Sequence, residues 1–240
     1  MIRSTPAIVA QGAVRRLPRT ALILLCLAYI LPGYFGREPW KNADITAFGY
    51  MVELASGGPH DWLVPTIMGI PPEVDALLPY WLGAWAMQLA PGWMAPDFAA
   101  RLPFGLMLVL VLVATWYGIY QLARSPGAQP VAFAFGGEAQ PADYARAMAD
   151  GGLLGLIGCL GLAQLSHETT PALAQLCFTA LTFYGLSALS GSLLLPLAAI
   201  GAGLTGLTLS GAPAVAVLFG LGGAIYGALE RKETGSTHGG

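Results

Sequence analysis

Two acidic residues stand where their surroundings would let them take part in chemistry. Asp44 ends a short polar segment in which Arg37 and Lys41 precede it. A carboxylate beside cations can accept a proton from an attacking hydroxyl group, or orient an acceptor, while the cations hold a phosphate. A single acid just after an apolar run is more typical of a solvated surface residue, and Asp44 taken alone favours that interpretation.

The second acid, Glu168, is the one formally charged residue between Gly151 and Leu229, and His167 precedes it. A lone ionisable residue in an otherwise apolar stretch indicates a functional site. The alternative is a hydrophilic turn that keeps a tight helical hairpin at a membrane interface.

Metal and cofactor sites have little support in the sequence. Glu73 and Asp75 are possible contacts to an acceptor or a metal ion, but no spacing of His, Cys or acidic residues resembles a dedicated metal site. We therefore predict no intrinsic metal and no cofactor.

The composition determines the class of protein that must position these residues. Of the 240 residues, 55% are hydrophobic and only 10% are charged, and the mean hydropathy is +0.63. Soluble domains carry about 25% charged residues, so a soluble enzyme, a disordered chain and a nucleic-acid binder are excluded. An integral membrane protein remains, and it must be all-α because every backbone polar group in the bilayer has to be paired internally.

A membrane span needs about 20 predominantly apolar residues. Six apolar runs approach this length, and we predict spans at 20–35, 102–122, 151–166, 171–188, 191–209 and 212–229. Arginines without acids precede the first run, which favours a retained first helix with a cytoplasmic N-terminus over the alternative, a secretory signal.

The charge distribution gives the orientation of these six spans. The basic residues fall in the N-terminal segment 1–19, the loop 123–150 and the tail 230–240, which are therefore predicted to be cytoplasmic, the tail being disordered. The transmembrane domain would comprise 20–229. Segment 36–101 would lie on the outer face, where it holds seven acids against three bases.

The outer segment 36–101 also contains five of the six tryptophans, and these amphipathic rings collect at membrane–water interfaces. Residues 44–55 and 78–90 have helix-forming length, and apolar residues recur at three- and four-residue steps in the second. We predict two amphipathic helices along the outer leaflet, joined by a Pro/Gly-rich turn at 56–72. A simple interfacial cap without a binding role is the alternative.

The order of motifs carries a family resemblance. After the first helix come Asp44, an interfacial helix, the run ASGGPHDWLVP at 55–65, the stretch LLPYWLGA at 77–84, and Arg-Leu-Pro at 101–103. Over about 20–190 the chain resembles the N-terminal part of the GT-C membrane glycosyltransferases, especially the bacterial aminoarabinose (lipid A) transferases and the related protein O-mannosyltransferase-like proteins.

The resemblance implies transfer of a sugar from a polyprenyl-phosphate carrier to an acceptor, such as lipid A or protein, on the periplasmic face of the bacterial inner membrane. It implies that Asp44 is the general base or acceptor-orienting residue. A second outer-face acid is expected after the third span, and Glu168 is the candidate. The family more often has an Asp nearer the proline, where Thr169 or Thr170 stands here.

Further expectations concern the residues that bind the donor. Where the family has a phosphate-contacting Lys, this chain has none, so Arg37, Lys41, Arg101 or a basic residue elsewhere is expected to neutralise the phosphate. Tyr80, in the Pro-Tyr-Trp motif, and His167 are further candidates for substrate binding.

The remaining expectation concerns the size of the enzyme. Family members run to about twice this length, so we expect further helices or a partner chain to complete the lipid-carrier cavity. A non-enzymatic transporter or an assembly subunit is the alternative function.

Overall fold

The computed structural model describes residues 8–36, 38–189, 191 and 193–236. Within this part of the chain, nine α-helices and two short 3₁₀ turns form the regular structure. The α-helices are α1 (Arg19–Tyr34), α2 (Asn42–Ser56), α3 (Leu78–Leu89), α4 (Pro96–Arg124), α5 (Pro141–Ile157), α6 (Leu160–Leu165), α7 (Pro171–Ala188), α8 (Leu194–Leu209) and α9 (Pro213–Ser236). The all-α prediction is confirmed for the described residues.

The longest helix, α4, shows why the apolar runs become helices. Pro96 begins it, where a missing N–H costs nothing, and Asp97 and Arg124 complement the dipole at its two ends. Among the described residues, α4 alone is both long enough and apolar enough to cross a membrane. α1, α8 and residues 213–228 of α9 are shorter apolar helices.

The predicted span at 151–166 is wrong as a single helix. α5 begins at Pro141, inside the segment predicted as a cytoplasmic loop, and ends at Ile157. Gly158 and Cys159 then separate it from the short α6. Five glycines lie between Gly151 and Gly161, and each lowers helix stability by about 1 kcal/mol relative to Ala, which weakens a continuous helix here.

The C-terminal tail also differs from the prediction. α9 continues through Glu230 to Ser236, well into the segment predicted to be disordered. Residues 237–240 of that predicted tail lie outside the described part of the chain.

The centre of the molecule is α4, which packs against α1, α3, α5 and α7, while α8 packs on α7 and α9 on α8. Phe104, Leu108 and Val111 of α4 are fully buried with Leu173 and Cys177 of α7 in one apolar cluster. α8 approaches α7 closely because it presents glycine there. A Cβ at Gly203 or Gly206 would overlap α7 at Thr182 or at Phe178, as expected for small-residue helix packing.

The two helices predicted in the outer segment are present. α2 and α3 correspond to the predicted 44–55 and 78–90, and they pack against each other. Met51 of α2 is fully buried against Gly83 of α3, where a Cβ would overlap its sulfur. The intervening segment 57–77 contains no α-helix and is joined to the bundle by a hydrogen bond from the Leu77 N–H to the Leu209 carbonyl (2.8 Å).

Polar contacts gather at the two ends of the bundle. The end that holds α2, α3 and the turn before α7 is called the Glu168 end, and the end that holds the N-terminal segment and the start of α5 is called the Asp150 end. At the Asp150 end the Gln11 N–H donates to the Gly137 carbonyl (2.9 Å). Segments predicted to share a membrane face are thus in contact with one another.

Candidate functional site

The polar turn 166–170, between α6 and α7, is buried at every residue. Two tyrosines of α1 hold it: the Tyr34 hydroxyl donates to the Ser166 carbonyl (2.7 Å), and the Tyr29 and Ser166 hydroxyls are hydrogen-bonded at 2.9 Å. This turn carries Glu168, so α1 sets the position of the predicted acid.

His167 faces α1 rather than a cavity. Its Nε2 lies 2.8 Å from the Tyr29 carbonyl oxygen and its Nδ1 lies 2.7 Å from the Ala163 carbonyl oxygen. Gly33 leaves room for the imidazole ring, since a Cβ there would overlap it. In this position His167 holds the turn against α1, and it is not among the residues that line the cavity beside Glu168.

Asp44 lies in the first turn of α2 and is only 1% exposed. Its Oδ1 accepts two hydrogen bonds from Thr169, one from the backbone N–H (2.8 Å) and one from the side-chain hydroxyl (2.7 Å). The sequence predicted Asp44 and Glu168 on the same face, and the structure brings them to adjoining positions through Thr169. Asp44 does not line the neighbouring cavity.

Glu168 is 2% exposed, yet it lines a cavity of about 590 Å³. Its Oε1 accepts a hydrogen bond from the Gln164 side-chain amide (2.9 Å). No described residue donates to the other carboxylate oxygen. The cavity is lined by Asn42, Ala43, Thr46, Ala47, Tyr50, Ile70, Pro71, Pro72, Glu73, Val74, Tyr80, Leu165, Glu168, Thr170, Pro171, Ala172 and Gln175.

Thr170 is a functional candidate that the sequence did not single out by itself. It is 7% exposed and lines the same cavity, and its hydroxyl has no hydrogen-bond partner among the described residues. An unpaired buried hydroxyl costs about 1–3 kcal/mol. Such a group beside Glu168 indicates a ligand that completes the hydrogen bond. Its position before Pro171 was visible in the sequence, but its burial was not.

Tyr50 and Tyr80 line the same cavity, and their ring centroids lie 5.3 Å apart. The pKa of Tyr80 is raised to about 12, mainly by burial and to a smaller extent by the neighbouring Tyr50. The pKa of Tyr50 is also raised, mainly by burial and to a smaller extent by the Glu73 carboxylate. Both phenols therefore stay protonated at neutral pH and can donate hydrogen bonds. The Tyr50 hydroxyl donates to the Ile70 carbonyl at 3.2 Å.

The remaining predicted acids are separated by the fold. Glu73 is exposed and lines the cavity. Asp75 is exposed and does not line it; its backbone instead passes close to Gly211, between α8 and α9.

The cations expected to bind phosphate do not line the Glu168 cavity in the part of the chain that the structure describes. The Lys41 ammonium lies over the Trp40 ring, 4.9 Å from its centre. Arg101 is buried, pairs with Asp97 at 3.2 Å and lines a separate open crevice of about 760 Å³ that also includes Trp40. Arg37 lies outside the described residues.

The described residues contain no group of three or more His, Cys, Asp or Glu side chains arranged to hold a metal ion. Comparison of the chain with protein-family models, with curated proteins and with solved structures found no match. The local geometry around Glu168 therefore carries the functional argument.

Proposed function

We propose that this chain is a multi-pass protein of the bacterial inner membrane, and a GT-C-type glycosyltransferase that moves a sugar from polyprenyl phosphate to an acceptor such as lipid A or protein. The observation that carries the proposal is Glu168. It is a nearly buried carboxylate with one oxygen held by Gln164 and the other without a partner among the described residues, at the wall of a 590 Å³ cavity.

Membrane placement is supported by the outer surface of the bundle. Leu106 of α4, Leu194 of α8 and Leu218 of α9 are 70%, 85% and 70% exposed. Large apolar side chains on the surface of several apolar helices are typical of lipid contact, because a water-soluble chain would have to hydrate them. The contacts of predicted outer segments with one another support the six-span arrangement, with α5 and α6 together as the third span.

The chemistry follows from the position of the proton acceptor. An acceptor hydroxyl in the cavity attacks the anomeric carbon of the donor sugar, and the bond from that carbon to the phosphate oxygen breaks. The hydroxyl proton passes to the Glu168 carboxylate, and polyprenyl phosphate leaves with the bonding electron pair. Protonated Tyr80 and Thr170 are available to orient the acceptor by hydrogen bonds.

In this scheme Asp44 is a positioning residue. It holds the backbone and hydroxyl of Thr169, the residue directly after Glu168. The donor phosphate is proposed to bind in the neighbouring crevice beside Arg101. The two spaces lie near each other at the start of α2, since Trp40 lines the crevice and Asn42, two residues later, lines the cavity.

The test uses the full chain reconstituted in proteoliposomes with labelled undecaprenyl-phosphate sugars, aminoarabinose and mannose among them, and with lipid A and a peptide as acceptors. Glu168→Gln is expected to slow transfer by about 10²–10⁴-fold, the range of general acid–base contributions. Asp75→Asn is the matched control, because this exposed acid does not line the cavity, and it is expected to retain the wild-type rate.

Asp44→Asn tests the positioning role in the same assay. We expect a smaller loss than in Glu168→Gln, because the amide oxygen can still accept from Thr169. Wild-type transfer rates in both the Glu168 and the Asp44 variants would contradict the proposal, as would the absence of transfer from every donor.

A second candidate function is transport, and the break between α5 and α6 at Gly158 and Cys159 is the observation that favours it. Transporters build their sites from interrupted helices. However, these two residues are exposed and do not line the Glu168 cavity. Substrate flux into vesicles that depends on Glu168 but not on Asp44 would favour transport over glycosyl transfer.

A further inference from the structure

We propose that an anionic glycerophospholipid binds at the Asp150 end, opposite the Glu168 cavity. Its phosphate would lie among Arg16, Arg19 and Arg146, and one acyl chain would lie in the groove between α1 and α4. This inference rests on the membrane placement proposed above but not on glycosyl transfer.

The headgroup site is a cavity of about 240 Å³ whose wall includes these three arginines and two acids, Asp143 and Asp150. The acids are already paired: Arg16 contacts Asp143 at 2.7 Å, and Arg146 lies 3.9 Å from Asp150. Arg19 lines the same cavity and has no ion-pair partner among the described residues. With three arginines and two acids, the cavity wall has a net charge of +1, which matches the single negative charge of a phosphodiester.

The hydrocarbon site adjoins the headgroup site. A groove of about 290 Å³ runs between α1 and α4, lined by apolar and aromatic side chains and the Cys26 thiol. Leu22 and Trp116 line both the cavity and the groove, so the two spaces share a wall. Leu27 and Val113, farther along the groove, are about half exposed.

An arginine-lined cavity that adjoins an apolar groove favours a lipid over a soluble anion as the ligand. An inorganic phosphate or a nucleotide would use the arginines and leave the groove empty, whereas a phospholipid fills both. The polar end of the site also lies on the face where the basic residues predict the cytoplasm, and anionic headgroups attract juxtamembrane cations by about 1 kcal/mol for each Lys or Arg.

Native mass spectrometry of the detergent-purified full chain tests the proposal, with dioleoylphosphatidylglycerol as the anionic probe and dioleoylphosphatidylcholine as the zwitterionic one. We expect one retained phosphatidylglycerol and a clear preference over phosphatidylcholine. Arg19→Gln is expected to weaken phosphatidylglycerol binding about fivefold, the effect of one juxtamembrane cation. Arg15→Gln is the matched control, because Arg15 is an exposed neighbour outside the cavity, and it should bind as the wild type does.

A second variant tests the groove. Val113→Trp fills the acyl site at a half-exposed position and is expected to weaken phosphatidylglycerol binding without changing the thermal midpoint of unfolding. Displacement of the lipid by millimolar inorganic phosphate, an equal loss in Arg15→Gln, or unchanged binding in Val113→Trp would each overturn the proposal. Transfer activity is not part of this readout, so its outcome is independent of the glycosyltransferase assay.

Discussion

Asp150 and Glu168 lie at opposite ends of the bundle and are equally buried, at 2% exposure each. Asp150 accepts from the Trp116 indole N–H (2.9 Å) and the Leu17 backbone N–H (3.2 Å), with Arg146 nearby. Among the described residues, Glu168 has a single hydrogen-bond donor, the Gln164 amide, and it lines a cavity. The comparison shows that burial alone does not identify a functional carboxylate. What distinguishes them is how many hydrogen bonds the carboxylate already accepts from the fold. A structural acid accepts several, whereas an acid that accepts few can still accept one from a ligand.

The largest stability effect is expected at Asp150. Asp150→Ala leaves the Trp116 and Leu17 donors and the Arg146 charge without their acceptor, and should lower the free energy of unfolding by about 3 kcal/mol. Asp143→Ala is the control, since its ion pair with the half-exposed Arg16 contributes about 0–1 kcal/mol. Denaturant unfolding in detergent measures both variants. Equal losses would remove the distinction between a buried network and a surface pair.

The next effect concerns the link between the two acids of the Glu168 end. Thr169→Val keeps the backbone N–H donor to Asp44 but removes the hydroxyl donor, and should cost about 2 kcal/mol of stability because the lost bond is to a charged group. It should also slow transfer, since the turn that carries Glu168 is held less firmly. Thr179→Val, farther along α7, is the control. An unchanged unfolding midpoint in Thr169→Val would show that the hydrogen bond from the Thr169 hydroxyl to Asp44 does not stabilise the fold.

The neighbouring threonine should behave in the opposite way. Thr170→Val removes a buried hydroxyl that has no partner among the described residues, and should raise the free energy of unfolding by about 1 kcal/mol while reducing transfer. Stability and transfer would thus change in opposite directions, as expected for a group reserved for a ligand. A loss of stability would instead show that the fold already uses this hydroxyl.

The last effect is absent at neutral pH: it is the alkaline dependence of stability due to Tyr80. Its pKa is about 12 in the folded chain and about 10 when unfolded, so the unfolded chain loses this proton first as the pH rises. The contribution of Tyr80 is therefore complete below pH 10 and is lost progressively between about pH 10 and 12. Across this pH window, the free energy of unfolding should fall less steeply in Tyr80→Phe than in the wild type. Parallel curves would mean that the cavity wall is wetter than its burial indicates.

Much of the Glu168 end could be predicted from the sequence. Segment length predicted α2, length and apolar spacing predicted α3, and the position of Glu168 in an uncharged stretch marked it as a functional candidate. The roles within the site could not be predicted. Asp44 and Glu168 are both acids beside an apolar run, and only side-chain contacts separate the one that holds Thr169 from the one that lines the cavity.

The Asp150 end was harder to predict because its contacts are between segments far apart in the chain. Residues 8–17 carry no apolar periodicity, yet they dock on α5 through Arg16 and through the Leu17 backbone. The break at Gly158 was also missed, because an apolar run satisfies the span criterion whether or not its glycines allow a continuous helix.

The sequence by itself determined the all-helical fold class and the distribution of charge along the chain. So few charges, with long apolar runs between them, favour apolar helices whose polar residues are concentrated at their ends. Tertiary structure decided which polar groups are satisfied and which keep a free donor or acceptor. That choice depends on distances of about 3 Å between residues more than a hundred positions apart, as between Asp44 and Thr169, which hydrophobic periodicity does not encode.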